Sequence, residues 1–131
     1  MLGEKESAAQ SNAYCEPPNK DIIIGGDEAP ASVDWRTASP PVVSAIRDQG
    51  SCGSCWTFAG ITTIESAWAI ATGNLYDLAE QQMVECVTED YGCGGGMAYD
   101  VYQYAQTHNV YMEADWPYRA TDYGSCTYSA D

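Results

Sequence analysis

Six cysteines in a chain of 131 residues constrain the fold more than any other feature of this sequence. They stand at Cys15, Cys52, Cys55, Cys86, Cys93 and Cys126. So many cysteines in so short a chain predict disulfide bonds and an oxidising compartment, unless some of them hold a metal ion. The length is enough for one ordinary domain of ~100–150 residues, but not for two.

The charge balance excludes several classes of partner. The chain has 5 basic and 19 acidic residues, and its net charge is −14. Such a charge repels phosphate, so we expect neither nucleic acid nor an anionic membrane surface as a partner. The sequence has no run of 18 apolar residues, and its first ten residues are too charged for the apolar core of a signal peptide. With 45% hydrophobic residues, the chain is expected to be globular.

The composition changes near residue 31. The residues before it are polar and acidic, carry Pro17-Pro18 and Gly25-Gly26, and show no sustained periodicity, which is typical of a tail or linker. After it the chain becomes aromatic and apolar, and residues 42–46 suggest a short strand or an extended segment.

Three helices are predicted from apolar periodicity. The first runs from about Ser54 to Thr72, with Gly73 as its C-cap and a buried face of Ile61, Ile64, Trp68 and Ala71. The second starts after Asp77, which forms a capping box with Glu80, and it ends near Cys86, with Ala79, Met83 and Cys86 as its inner stripe. The third covers about residues 97–108, with Ala98, Val101 and Ala105 on one face.

A glycine-punctuated segment places a cysteine at the start of the first predicted helix. It reads Gln49-Gly50-Ser51-Cys52-Gly53-Ser54-Cys55-Trp56. A helix N-terminus has free N–H groups and a positive dipole end, which favour the thiolate of Cys55, the nucleophilic form of the side chain. The amide of Gln49 can donate to a developing oxyanion together with the backbone N–H of Cys55. One loop can therefore hold a nucleophile and an oxyanion hole.

This segment and four others resemble, in the same order, the papain-like cysteine peptidases of the cathepsin group. Residues 52–56 match the family's Cys-Gly-Ser/Ala-Cys-Trp/Tyr signature. The other segments are Asp34-Trp35-Arg36, Leu78-Ala79-Glu80-Gln81-Gln82-Met83-Val84-Glu85-Cys86, Tyr91-Gly92-Cys93-Gly94-Gly95 and Trp116-Pro117-Tyr118. The resemblance implies an α+β papain-like fold, of which this chain covers mainly the helical domain, while the β-rich domain is missing. Residues 1–29 are then a propeptide tail or N-terminal extension of a zymogen, and residues 30–131 the N-terminal half of the peptidase domain.

The resemblance also assigns roles to residues. It implies that the protein is a cysteine-type endopeptidase acting through an acyl-enzyme on Cys55, with Gln49 as oxyanion donor. It implies a substrate site in which Gly53 leaves room at the first pocket, Gly95 and Gly96 offer backbone hydrogen bonds, Met97 and Ala98 line the second pocket and Tyr91 flanks the third. It further implies disulfides Cys52–Cys93 and Cys86–Cys126, which leave Cys55 free and Cys15 unassigned. No metal or other cofactor is implied.

The catalytic imidazole that the family requires is missing from the pattern. In the family, the His and Asn follow the cysteine by ~130–150 residues, whereas 131 − 55 = 76 residues follow Cys55 here. The one histidine, His108, falls near a helix end, where a solvent or dipole contact is its usual role. We therefore expect an incomplete enzyme that is inactive alone, with an apolar surface exposed where the other domain would pack.

By resemblance, the expected partners are protein or peptide substrates, cystatin-type inhibitors and the missing C-terminal half, in a lysosomal, vacuolar or secreted setting. Three other functions stay open. A half-domain could bind peptides or proteins without cutting them; Cys52 and Cys55 could form a redox pair; or a zinc site could use Cys52, Cys55, Cys86 and Cys93, although the seven-residue step of its second pair exceeds the usual spacing.

Overall fold

The computed structural model describes residues 31–127, so the expectations for residues 1–29 and for Cys15 lie outside the described part of the chain. Its helices are α1 (Cys55–Thr72), α2 (Glu80–Cys86) and α3 (Ala98–Ala105). Two single-turn 3₁₀ helices cover Trp35–Thr37 and Gly92–Gly94, and Leu78 pairs with Met112 in an isolated antiparallel bridge. Residues 42–46 form no regular element. No helix within residues 31–127 is long and apolar enough to cross a membrane.

Helix α1 has the predicted bounds, but its buried face differs from the prediction. It ends where Gly73 adopts a left-handed conformation and its N–H donates to the Ala69 carbonyl over 2.8 Å. Ile61 is buried as expected, whereas Trp68 is 52% exposed. An 18-residue helix is about 27 Å long and α3, with eight residues, about 12 Å. Helix α1 is thus longer than α3, and near its end Trp68 and Ile70 are more than half exposed whereas Ala69 is buried.

The predicted start of α2 is wrong, because the residues just before the helix are extended and one of them forms a β-bridge. Leu78 is held in the bridge to Met112, and its N–H donates to Oε1 of Glu65 over 2.8 Å. Ala79 is extended and occupies the N-cap position without a side-chain cap. The capping box of Asp77 and Glu80 therefore does not form. Helix α3 ends three residues earlier than predicted, in a turn where His108 N–H donates to the Tyr104 carbonyl over 3.0 Å.

The apolar core lies where the three helices meet. Its members are Trp56, Ile61, Met83, Val87 and Val101. At Gly60, α1 approaches α3 so closely that a Cβ atom there would lie 2.6 Å from Cβ of Val101. The absence of a side chain at Gly60 therefore permits this close crossing. This core fixes α1 and, with it, the position of Cys55 at its first turn.

Candidate active site

Cys55 is the first residue of α1 and the only free cysteine among the described residues. It is half-buried and borders a cavity of about 290 Å³. Gln49, Ser44, Ile46, Phe58 and Thr62 are among the other lining residues. Because the first backbone N–H groups of a helix have no partner within it, the wall of this cavity is suited to bind a negative charge next to the thiol.

Gln49 lies in the same cavity with its amide held in place. Its Nε2 donates to the carbonyl of Cys52 over 2.8 Å. An amide nitrogen carries two hydrogens, so one remains for a ligand. The loop between them turns at Gly50, which has φ +62° and an N–H that donates to Oδ1 of Asp48 over 2.7 Å. The structure therefore brings Cys55 and Gln49 together.

A disulfide and two hydrogen bonds join this loop to the turn around residue 93. Cys52 is bonded to Cys93, the Gly53 N–H donates to the Cys93 carbonyl over 2.9 Å, and the indole of Trp56 donates to the Gly92 carbonyl over 3.1 Å. A second disulfide links Cys86 with Cys126. These are the two pairs that the resemblance implies. They leave Cys52 no thiol for a redox pair with Cys55 and remove three of the four cysteines of the zinc hypothesis.

The turn itself carries the other residues predicted to bind substrate. Tyr91 N–H donates to the Gly95 carbonyl over 3.0 Å, and Gly95 N–H donates weakly to the Gly92 carbonyl over 3.4 Å. Gly95 has φ +117°, and a Cβ atom on Gly96 would lie 2.7 Å from the Trp56 ring. Both glycines are buried, Tyr91 is 67% exposed, and Met97 and Ala98 are half-buried. Trp56 therefore places this turn beside the first turn of α1.

A cluster of charged side chains next to this loop was not predicted from the sequence. Arg47 lies 2.7 Å from Glu65, 2.6 Å from Glu80 and 3.0 Å from Asp77, and Ser44 makes a short hydrogen bond to Glu65. Glu65 and Glu80 are fully buried. A glutamate four residues from Ile61, inside the apolar stripe of α1, was the signal that could have revealed this cluster.

The electrostatics of the cluster centre on Glu80. Its pKa is raised to about 7, mainly because burial penalises the charged form, and Arg47 opposes this shift. Apart from the ion pair between Oε1 and Arg47, neither oxygen of Glu80 has a hydrogen-bond partner among the other described residues. Burial also raises the pKa of Glu113. Arg47, two residues before Gln49, thus anchors the start of the loop to several carboxylates.

His108 lies away from Cys55. Its ring stacks on Tyr104 with centroids 4.3 Å apart, and Nδ1 is 2.9 Å from Oγ1 of Thr107. It does not line the cavity that contains Cys55. A wider cavity of about 470 Å³, between Glu85 and Trp116, contains neither Cys55 nor Gln49.

Comparison with known proteins decides the family. The model of the papain family cysteine proteases matches residues 29–131. This chain belongs to the papain family. Among curated papain-family relatives, the viral cathepsin of Mamestra configurata nucleopolyhedrovirus is 44% identical over 82% of this chain and 31% of its own length. Pro-cathepsin H of Bos taurus is 41% identical over 87% of this chain and 34% of its own.

Solved structures of the papain family have the same fold. A cysteine protease of Carica candamarcensis in complex with E-64 is 35% identical, has a TM-score of 0.71 and matches 76% of this chain and 46% of its own. Digestive procathepsin L2 of Tenebrio molitor is 40% identical, also with a TM-score of 0.71, over 80% of this chain and 33% of its own. The predicted papain-like fold is confirmed, and the three helices are consistent with its helical domain. The chain spans about a third of the curated relatives named above.

Proposed function

We propose that this chain supplies the nucleophile, the oxyanion donors and the peptide-binding turn of a papain-like cysteine endopeptidase. The observation that carries the proposal is the shared cavity: the free thiol of Cys55, at a helix N-terminus, lies in one cavity with the oriented amide of Gln49. Membership of the papain family supports the same reaction class. Residues 30–131 are then the N-terminal half of the peptidase domain, and residues 1–29 a propeptide tail or N-terminal extension.

The proposed reaction is acyl transfer in two stages. The Cys55 thiolate attacks the carbonyl carbon of a peptide bond, and the resulting oxyanion accepts hydrogen bonds from the Cys55 N–H and the Gln49 amide. The C–N bond breaks when an imidazolium gives its proton to the leaving amine. Water then attacks the thioester, the imidazole takes a proton from that water, and the freed acid leaves Cys55 ready for another cycle. His108 is stacked elsewhere, so we propose that the imidazole comes from outside these 131 residues.

The turn is proposed to bind the substrate as an extended peptide. Glycines let a backbone approach without obstruction, as an added strand requires. The peptide backbone would be surrounded by Gly53, Gly95 and Gly96. The second pocket, lined by Met97 and Ala98, would favour an apolar side chain. The third pocket would be flanked by Tyr91. Of the two turn glycines, Gly95 already uses its N–H within the turn.

Exposed apolar residues, one of them at the edge of this cavity, support the proposal that another part of the enzyme packs here. Ile46 borders the cavity and is fully exposed, and Trp35 is 54% exposed. A contiguous exposed apolar patch marks a site of protein interaction or a binding groove. We propose that a C-terminal half covers them, with protein substrates and cystatin-type inhibitors as further partners. The two disulfides support a lysosomal, vacuolar or secreted setting.

Turnover of a fluorogenic peptide tests the proposal. The chain alone is expected to show none, whereas the chain joined to the later part of a papain-family relative should cleave the peptide. In that completed protein, Cys55→Ser should lower kcat by about 10⁴-fold or more, because the nucleophile is lost.

Cys15→Ser is the matched control, since it removes the other cysteine outside the two disulfides and should leave kcat unchanged. Turnover that persists in Cys55→Ser would contradict the proposal. A completed protein that binds peptides without cutting them would favour the non-catalytic half-domain.

A further inference from the structure

The hydroxyl of Tyr118 contacts both ends of the loop that leads to Cys55. Its Oη donates to the main-chain oxygen of Gln49 over 2.8 Å and lies 2.5 Å from Oγ of Ser54. Gln49 begins this loop and Ser54 ends it, whereas Tyr118 stands 64 residues beyond Ser54 in the sequence. One hydroxyl group therefore joins the two ends of the loop to a distant segment.

The direction of these bonds follows from the proton count. A phenol has a single hydrogen, and that of Tyr118 is donated to Gln49, so Ser54 must donate to Tyr118. Ser54 is the N-cap residue of α1, where a serine side chain usually accepts a bond from the first turn. No such cap bond forms here. The buried Ser54 hydroxyl thus points to Tyr118 and does not cover the N–H groups near Cys55.

We infer that Tyr118 is a positioning residue for acyl transfer, because it fixes the separation between the Gln49 amide and the Cys55 N–H. This inference rests on the proposed function, in which those two groups bind the oxyanion. Oxyanion donors act through placement before the reaction, and a displacement of about 1 Å can cost ~10²-fold in rate. A hydroxyl that holds both ends of the loop controls that placement without touching the substrate.

Tyr118 is itself held firmly. Its ring meets that of Phe58 edge to face at 4.9 Å, and its N–H donates to Oε1 of Glu113 over 2.7 Å. The Glu113 N–H donates in turn to the Asp77 carbonyl over 2.8 Å. Burial raises the pKa of the Tyr118 hydroxyl, so it keeps its proton and remains a donor at neutral pH.

Hydrogen exchange on the 131-residue chain gives the first test. Tyr118→Phe keeps the ring contact with Phe58 and removes both hydroxyl bonds. The backbone N–H groups of residues 50–55 should then exchange about tenfold faster, while those of α3 should not change. Tyr76→Phe, which alters a partly exposed tyrosine elsewhere, is the control. Unchanged exchange in the loop would overturn the inference, whatever the activity.

Kinetics on the completed peptidase give the second test. Tyr118→Phe should lower kcat per titrated active site by about 10- to 100-fold, with KM within about twofold. Ser54→Ala should act similarly, and the double variant should lose little more. If Tyr118 had only a structural role, Tyr118→Phe would lower the fraction of protein with a titratable active site but leave kcat per active site equal to that of Tyr76→Phe. That result would overturn the inference. A wild type without turnover would defeat the proposed function instead, and hydrogen exchange would still decide the role of Tyr118.

Discussion

Two buried regions of this chain share helix α1 but are built from opposite kinds of side chain. Ile61 packs in the apolar core with Met83 and Val101. Glu65, one turn later, lies in the charged cluster with Arg47 and Glu80. The core joins helix to helix, whereas the charged cluster joins α1 and α2 to the irregular segment before Gln49.

Apolar contacts and charged contacts differ in the kind of segment that they can hold in place. Apolar burial is non-directional, which suffices to pack helices that already satisfy their own backbone groups. A segment without regular structure has no such internal bonds, so directional partners must fix it. The carboxylate of Glu65 accepts from Ser44, from Arg47 and from the Leu78 N–H. The cluster thereby holds the segment before Gln49 in place.

Removing the central cation should have the largest effect. Arg47→Met leaves Glu65 and Glu80 buried without their counter-charge, which is expected to cost about 3–5 kcal/mol of the free energy of unfolding. Urea unfolding at neutral pH measures this. Arg36→Met, which breaks the exposed pair with Asp34, should leave the midpoint unchanged. Equal midpoints for the two variants would show that the cluster does not stabilise the fold.

Crowding the helix crossing should cost less, about 1–3 kcal/mol. In Gly60→Ala the new methyl group would lie 2.6 Å from Cβ of Val101, so the two helices must separate. Unfolding of Gly60→Ala, Val101→Ala and the double variant measures the coupling. The double variant should lose less free energy of unfolding than the two single variants together, because the smaller side chain at position 101 relieves the clash. Strict additivity would contradict this close approach.

Trimming the apolar core by one methyl group should cost about 1 kcal/mol. Ile61→Val removes buried volume without leaving any polar group unpaired. Urea unfolding beside Arg47→Met compares the two regions directly. If Ile61→Val proved as damaging as Arg47→Met, the distinction between a tolerant apolar core and a sensitive charged cluster would fail.

The smallest change is expected for Glu80→Gln at pH 5. The pKa of Glu80 is raised to about 7 in the folded chain from an ordinary value of 4.5. Between these values the folded state keeps a proton that the unfolded state has lost, so the wild type should lose stability as the pH rises from about 5 to 7. Glutamine resembles the protonated carboxyl group and does not titrate, so Glu80→Gln should not show this loss of stability.

Thermal unfolding from pH 5 to pH 8 measures that difference. The two proteins should match most closely at pH 5, and the variant should show the shallower fall. Parallel pH profiles would mean that the proton is not held on Glu80 in the folded chain.

Much of the helical framework was accessible from the sequence, and the misses have physical reasons. The bounds of α1 follow from periodicity and from a glycine that stops the helix, so they were predicted correctly. The start of α2 was wrong because pairing between Leu78 and Met112, far apart in sequence, overrode a local capping signal. Trp68 was expected to be buried because it lies on an apolar stripe, but a stripe does not reveal how far the partner helix extends.

The resemblance of five segments to the papain family, the approximate positions of the helices and the placement of Cys55 at a helix start can be read from the sequence alone. The helix positions follow from apolar periodicity and from the glycine after α1, both of which are local along the chain. The burial of Glu65 against Arg47 and the hydrogen bond from Tyr118 to Gln49, 69 residues away, are visible only in the folded chain. A charged or hydroxyl side chain is equally compatible with solvent and with a buried partner. Which of the two it meets depends on how distant segments pack.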